Sequence, residues 1–330
     1  VSSIITTARE FRADVLRGDK QMLSQLSSAY EQIAKRLERD LRELTREMEA
    51  AQRAGKTVNR DWLRRSFRYQ QLIPRAKEQI NGFSRSASQY IQAKQFQAIS
   101  LGQSHAASLI QAADVDLTFV RLPNAAIEEL VGALQDGSSL DKLFEKLGSE
   151  AARDIGEKLI EGLGAGKGPR VIAREISSAV DMPRWRALAI ARTESMRAYR
   201  QSSLATYAAN DDVLDGWIWI STLSIRTCAA CWALHGQFFP LSKTFFPSHV
   251  SCRCTSVPSI RGVKTKLQSG SVAFGNLAAE QQQTILGPSR YEMYAKGTPL
   301  DDFVILTRDR DWGGAYQVRP LYKMIKKRAA

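Results

Sequence analysis

All four cysteines of this 330-residue chain lie between residues 228 and 254, in CAACWALHGQFFPLSKTFFPSHVSCRC, with two of its three histidines. Thiolate and imidazole are the ligands that close tetrahedral zinc sites. Cys228-x2-Cys231 followed, seventeen residues on, by His249-x2-Cys252-x-Cys254 has the form of two half-sites. Gly236, Pro240 and Pro247 punctuate the intervening loop, as expected of an excursion that returns on itself. Five donors compete for four places, and His235 is a sixth. The favoured set is Cys228, Cys231, His249 and one of Cys252 or Cys254. If Cys252 and Cys254 lie on an extended segment, they point the same way, and both could bind with His249 left out. The competing reading is four buried free thiols, since cysteine often serves as a small core residue. A disulfide framework suits small secreted domains rather than a reduced chain of this length. No Asp or Glu lies between Gly216 and Arg261, so the site lacks a nearby general base and reads as structural, not catalytic.

The flanking sequence must position these donors. WIWIST, from residue 217, and TSVPSI, from 255, are strand-like and bracket the cluster, predicting a small β-containing part around the metal. The first hundred residues predict long helices. Leu26, Tyr30, Ile33, Leu37, Leu41, Leu44 and Met48 recur at steps of three and four, and Gly55 with Thr57 or Asn59 marks a stop and a cap. Trp62, Tyr69, Leu72, Ile73, Ile80, Phe83, Tyr90 and Ile91 continue the pattern past Pro74, a predicted kink or break, which yields an antiparallel helical hairpin. Shorter helices follow, with Leu130, Leu134, Leu140, Leu143, Phe144, Leu147, Ile155, Leu159 and Ile160 as apolar positions. GLGAGKGPR (162–170) lacks the first Gly and the final Ser or Thr of a phosphate loop and reads as a turn between helices. The fold class is therefore mainly α with a small zinc-stapled α+β subdomain and a long N-terminal helical hairpin. The expected division is 1–115 hairpin, 116–215 compact helical domain, 216–305 zinc-knuckle subdomain and 306–330 basic C-terminal tail.

A net charge of +13 favours polyanionic surroundings, because neutralising phosphates releases counterions. Arg319, Lys323, Lys326, Lys327 and Arg328 of the tail are candidate nucleic-acid contacts, although a charge run at a terminus is commonly just solvated. No apolar run is long enough to span a membrane and the first thirty residues do not read as a secretory signal, so the expectation is a soluble intracellular protein.

Four segments in order, RALAIARTESMRAYR (186–200), WIWISTLSIRTCAACWALHGQFF (217–239), PSHVSCRC (247–254) and QTILGPSRYEMYAKG (283–297), resemble the phage Mu F-like head morphogenesis, or minor head, proteins. The resemblance covers roughly 125–305. One departure is Ser224, where the family often has an acidic residue. The resemblance implies a structural virion protein of a tailed phage, without enzymatic activity, inside the head near the portal vertex and in the host cytoplasm during assembly. It would act in procapsid assembly, DNA packaging or delivery. The implied partners are the portal protein, the major capsid protein or scaffold, and non-specifically bound double-stranded DNA.

IARTE invites a comparison with the Arg and Glu motifs of ADP-ribosyltransferases. Arg192 and Glu194, however, sit among the helically spaced Ala187, Ile190, Ala191, Ala198 and Leu204, whereas a transferase would place its arginine on a strand and use a Glu-x-Glu loop. The expectation is an Arg192/Glu194 structural pair that locks this helix to the metal subdomain. A regulatory zinc protein is the other alternative, but the loop between Cys231 and His249 holds Trp232, Phe238, Phe239, Phe245 and Phe246 with only Lys243 as a cation. That is core composition, not a DNA-reading helix.

Overall fold

The computed structural model describes residues 2–112, 123, 129, 131–132, 139–247, 249–263, 265, 267–309 and 312–328. Leu130 and Leu134 lie outside these. The chain is mainly helical with small antiparallel sheets. Its elements run α1 (Ser2–Arg53), α2 (Arg60–Arg65), α3 (Phe67–Gln111), α4 (Asp141–Phe144), α5 (Leu147–Gly164), α6 (Pro169–Ala208), β1 (Leu214–Ile220), α7 (Ala229–Leu234), β2 (Phe238–Pro240) and β3 (Thr255–Ile260). Then come α8 (Gly270–Gly275), α9 (Ala279–Leu286), α10 (Pro288–Ala295), a 3-10 turn (Leu300–Phe303), β4 (Val304–Asp309), β5 (Gly313–Val318) and α11 (Leu321–Arg328).

The long hairpin forms as its periodicity dictates. Gly55 takes φ of 71°, and Asn59 caps α2 by accepting from the Trp62 amide at 2.9 Å. α3 runs through Pro74 without breaking. Its contacts with α1 step backwards along the chain. Glu43 pairs with Arg68, the Tyr30 ring meets Phe83 edge-on at 5.0 Å, and Phe11 stacks on His105 at 3.9 Å, so the two helices are antiparallel. GLGAGKGPR forms the end of α5, a turn with Gly166 at φ of 69°, and the start of α6, as expected of a helix-to-helix turn.

The chain packs into two units, each assembled from separated stretches. One comprises Lys20–Gln92 and Ser138–Ala191. Its core joins Leu37, Leu41, Leu44 and Met48 of α1 to Leu72, Ile80 and Ile91 of α3, with Ile155 and Leu159 of α5 and Ile172 and Ile176 of α6. The Tyr30 hydroxyl, buried in this core, donates to the Val180 carbonyl. Burying such apolar faces contributes about 1.5–3 kcal/mol per large side chain.

The other unit comprises Val1–Asp19, Ala93–Gly137 and Arg192–Ala330. Its three-stranded antiparallel sheet has the order β2-β1-β3, and both faces of β1 are covered, so Trp217, Ile218, Trp219 and Ile220 are all buried. Pro258 sits on β3, an edge strand, where its missing N–H leaves no ladder gap. The same core takes in Ile4, Ile5 and Ala8 of α1 and Ala106, Leu109 and Ile110 of α3. The ends of the hairpin therefore belong to this core, and cutting away residues 1–110 would strip it. At Gly102 a Cβ would meet Ser202 Oγ at 2.1 Å and the Tyr199 carbonyl at 2.5 Å, so only glycine lets α3 lie this close to α6. A second cluster joins Trp232 and Ala233 of α7 to Phe274, Leu286, Phe303 and Met324.

His105 lies buried here between Phe11 and Tyr199, its Nδ1 3.1 Å from the Tyr199 hydroxyl, and burial lowers its pKa from 6.5 to about 4. The neutral ring is therefore the folded form. Above the unfolded value both states are neutral. As pH falls from 6.5 towards 4, the unfolded chain binds a proton that the folded chain refuses, and stability is lost. Over that window the wild type is expected to lose about 1–3 kcal/mol more than His105→Gln, in urea titrations repeated at each pH. Parallel curves for the two proteins would show that His105 is not the acid-sensitive group.

Candidate metal centre

Two short turns bring the donors together. Cys228 caps α7, and its Sγ lies 3.4 Å from the Cys231 amide, which points both sulfurs the same way. On the other side, Ser251 takes φ of 64° and the Cys252 amide bonds the His249 carbonyl at 3.1 Å, folding His249 back over Cys252. Cys228, Cys231 and His249 form one group whose ligand atoms all lie within 4.8 Å of one another; Cys231, Cys252 and Cys254 form a second. Cys231 is common to both. All four cysteines are free thiols. His235 stands apart: its Nδ1 accepts the Ser221 amide at 2.9 Å, and burial lowers its pKa to about 4.

The electrostatics of the cluster are those of crowded, partly ionised donors. Hydrogen bonding to Cys231 and then His249 pulls the Cys228 thiol down to about 5, and the thiolate in turn raises His249 to about 9. Cys252 is held well below the ordinary thiol range, chiefly by Cys231 and Cys254, while Cys231 and Cys254 are pushed up, Cys254 chiefly by burial. Packed and desolvated, the sulfurs cannot all ionise unaided, and a divalent cation would supply the charge that lets them do so. The donor set fits a structural zinc of Cys and His type. Such an ion would staple the strand-flanked loops to one another. A cleft of about 220 Å³ opens beside the cluster, lined by Thr222, Ser224, Arg226, Ser251 and Arg253 among others.

The shell around the cluster contains residues that sequence reasoning missed. Arg200, on α6, donates from Nε to the Cys254 carbonyl at 2.8 Å and from Nη2 to the Cys252 carbonyl at 2.6 Å, and its guanidinium lies 4.9 Å from the centre of the Phe245 ring. Thr193 Oγ1 accepts the Ser251 amide at 2.9 Å. Arg12, on α1, bonds Thr222. The aromatic loop residues form the backing: Trp219 stacks on Phe245 at 4.2 Å and Trp217 on Phe239 at 4.5 Å, whereas Phe238 is exposed.

Arg192 and Glu194 lie on α6, but the structure does not pair them with each other. Arg192 Nε bonds Asp19 at 2.7 Å and Glu194 bonds Arg197 Nε at 2.6 Å. Residues two apart on a helix point to different sides, so each finds its own partner. A Glu-x-Glu triplet does occur, Glu47-Met48-Glu49, but it is inside α1, and its carboxylates face Arg68 and Arg170. In the C-terminal region, Arg319 is committed to the Asp302 and Val304 carbonyls, at 2.9 and 3.1 Å. Lys323 is exposed on α11, and the side chains of Lys326, Lys327 and Arg328 lie outside the described residues. Residues expected to form a tail build β5 and α11 instead, because Met324 anchors that helix in the second core cluster. Among the described residues, no helix is long and apolar enough to cross a membrane.

Fold and cluster together define a mainly helical protein whose small sheet is built around a Cys/His metal-type centre. Residues 153–257, a segment that contains all of α6 and the whole cluster, match the family described as Phage Mu protein F like protein. The chain is also similar to "NAD(+)--arginine ADP-ribosyltransferase EFV" of Enterococcus faecalis (strain ATCC 700802 / V583), with 26% identity over 181 residues, 49% of this chain and 37% of that protein. It thus spans well under half of that relative's length. No solved structure matches the chain.

Proposed function

We propose that the chain is a structural minor head protein of a tailed bacteriophage, held near the portal vertex and acting in procapsid assembly, DNA packaging or DNA delivery. One observation carries this reading: the Mu F-like segment, 153–257, coincides with the helix and the cluster that organise the sheet-containing core. A structural zinc would add rigidity to the loops on either side of the sheet, beyond what their apolar packing provides. The charge of +13 suits a protein surrounded by packaged double-stranded DNA, bound through phosphates without sequence preference. The proposed protein partners are the portal protein and the major capsid protein or scaffold. Phe67, at the tip of the hairpin and 71% exposed, is the first side chain to test as a contact.

Co-expression with the portal protein of the same phage, followed by size-exclusion chromatography, tests the proposal. A stable complex that Phe67→Glu weakens, with the melting temperature unchanged, is the expected result. Separate elution of two folded proteins would remove the portal from the reading.

The similarity to an arginine ADP-ribosyltransferase favours a second reading, in which the chain transfers ADP-ribose from NAD+ to arginine. The helical setting of Arg192 and Glu194, each in its own ion pair, weighs against those residues as the catalytic pair. Incubation with labelled NAD+ and polyarginine decides it, because incorporated label would establish an enzyme.

A further inference from the structure

The donors outnumber the places in a tetrahedral shell, and we infer that the metal is held by Cys228, Cys231, His249 and Cys252, with Cys254 an outer thiol that donates to Ser221. The inference rests on the reading of the cluster as a metal site and names its ligands.

One hydroxyl distinguishes the two cysteines. Ser221 Oγ has one proton and two lone pairs. Its proton goes to the Cys231 carbonyl, 2.7 Å away, and one lone pair accepts the Trp219 indole N–H at 3.0 Å, a group that can only donate. What remains is a lone pair, and it faces Cys254 Sγ at 3.2 Å. Cys254 must then supply the proton of that contact. A metal-bound thiolate has none to supply, so as a ligand Cys254 would set lone pair against lone pair in a fully buried place. The backbone on either side does not swing away easily, because Arg200 holds the Cys252 and Cys254 carbonyls.

His249 shows the opposite arrangement. Its Nδ1 lies 2.7 Å from the Val250 carbonyl and donates to it, which leaves Nε2, 4.0 Å from Cys231 Sγ, as the nitrogen that would bind a metal once its proton is displaced. A ligating imidazole is oriented in this way, with its second nitrogen bonded to a carbonyl. Three thiolates and a neutral imidazole also leave one net negative charge on a divalent ion rather than two, which lowers the cost of burial.

Cobalt(II) titration of the full chain tests the assignment, because thiolate-to-metal charge transfer counts sulfurs. Wild type and Cys254→Ser are expected to bind one cobalt with equal charge-transfer intensity, whereas Cys252→Ser loses about one third of it. Serine at 254 keeps a proton for Ser221, so this variant retains the local hydrogen bond. X-ray absorption of the zinc-loaded wild type gives a readout free of variants, with three sulfurs at about 2.3 Å and one nitrogen at about 2.0 Å expected. Four sulfurs, or a Cys254→Ser spectrum that falls as Cys252→Ser does, would overturn the assignment and leave the metal site standing. No uptake of cobalt or zinc by the wild type would overturn both.

Discussion

Replacing Cys231 by alanine is expected to abolish stoichiometric metal binding and to unfold the sheet-containing core. Its sulfur is the one member shared by both donor groups, so its loss reduces each from three donors to two. Structural zinc contributes apparent folding free energies of about 10–16 kcal/mol in small domains, comparable with the whole stability of about 5–15 kcal/mol typical of a folded protein. The effect should therefore far exceed the lost burial of one small side chain. Trp217, Trp219 and Trp232 are all buried in or beside this core, so their fluorescence and near-ultraviolet circular dichroism report its loss directly. Metal analysis and those spectra should change together. A variant that keeps one metal per chain and a native tryptophan signal would show that the cluster is not the staple.

The second large effect is expected at Arg200. This side chain is 3% exposed, and its fork satisfies the carbonyls of Cys252 and Cys254, which have little access to water. Arg200→Ala leaves both oxygens unpaired at a cost of about 1–3 kcal/mol each and removes the cation's contact with Phe245, so a loss of about 2–6 kcal/mol is expected. Arg200→Lys should recover little of it, since an ammonium lacks the planar fork that reaches two acceptors at once. The chain packs as two units, so a single melting temperature is a poor readout. Hydrogen exchange of the 249–256 amides is the better one. Protection there should fall in Arg200→Ala while that of α1 between residues 30 and 48 holds. Equal exchange in variant and wild type would show that the carbonyls find other donors.

The two expectations differ in where they come from. The cysteine cluster was legible along the chain because metal half-sites are local objects: a two-residue spacing sets two sulfurs on one knuckle whatever the rest of the protein does. Helical periodicity in α1 and α3 was legible for the same reason, as was a cap at Thr57 or Asn59, of which Asn59 accepts from an amide three residues on. The strand-like texture of WIWIST announced β1, though its burial on both faces did not follow from alternation, because what covers each face comes from elsewhere in the chain.

Partners distant in sequence were not legible. Arg192 and Glu194 read as a pair because they are neighbours, yet Arg192 meets Asp19, 173 positions away, and Glu194 turns to Arg197, one helical turn on. Arg200 carried no local signal at all, since the groups that need it are backbone carbonyls some fifty residues downstream, identical in every sequence. Likewise the C-terminal run read as a basic tail, whereas Met324 packs in a core cluster and Arg319 binds backbone carbonyls. By itself the sequence determined the long helices, the strands β1 and β3 and the presence of a Cys/His cluster, because each depends on spacing over a few residues. Only the tertiary structure decided which charges pair, which arginine supports the cluster and which cysteine faces Ser221, because those follow from chain segments brought together across the whole length of the protein.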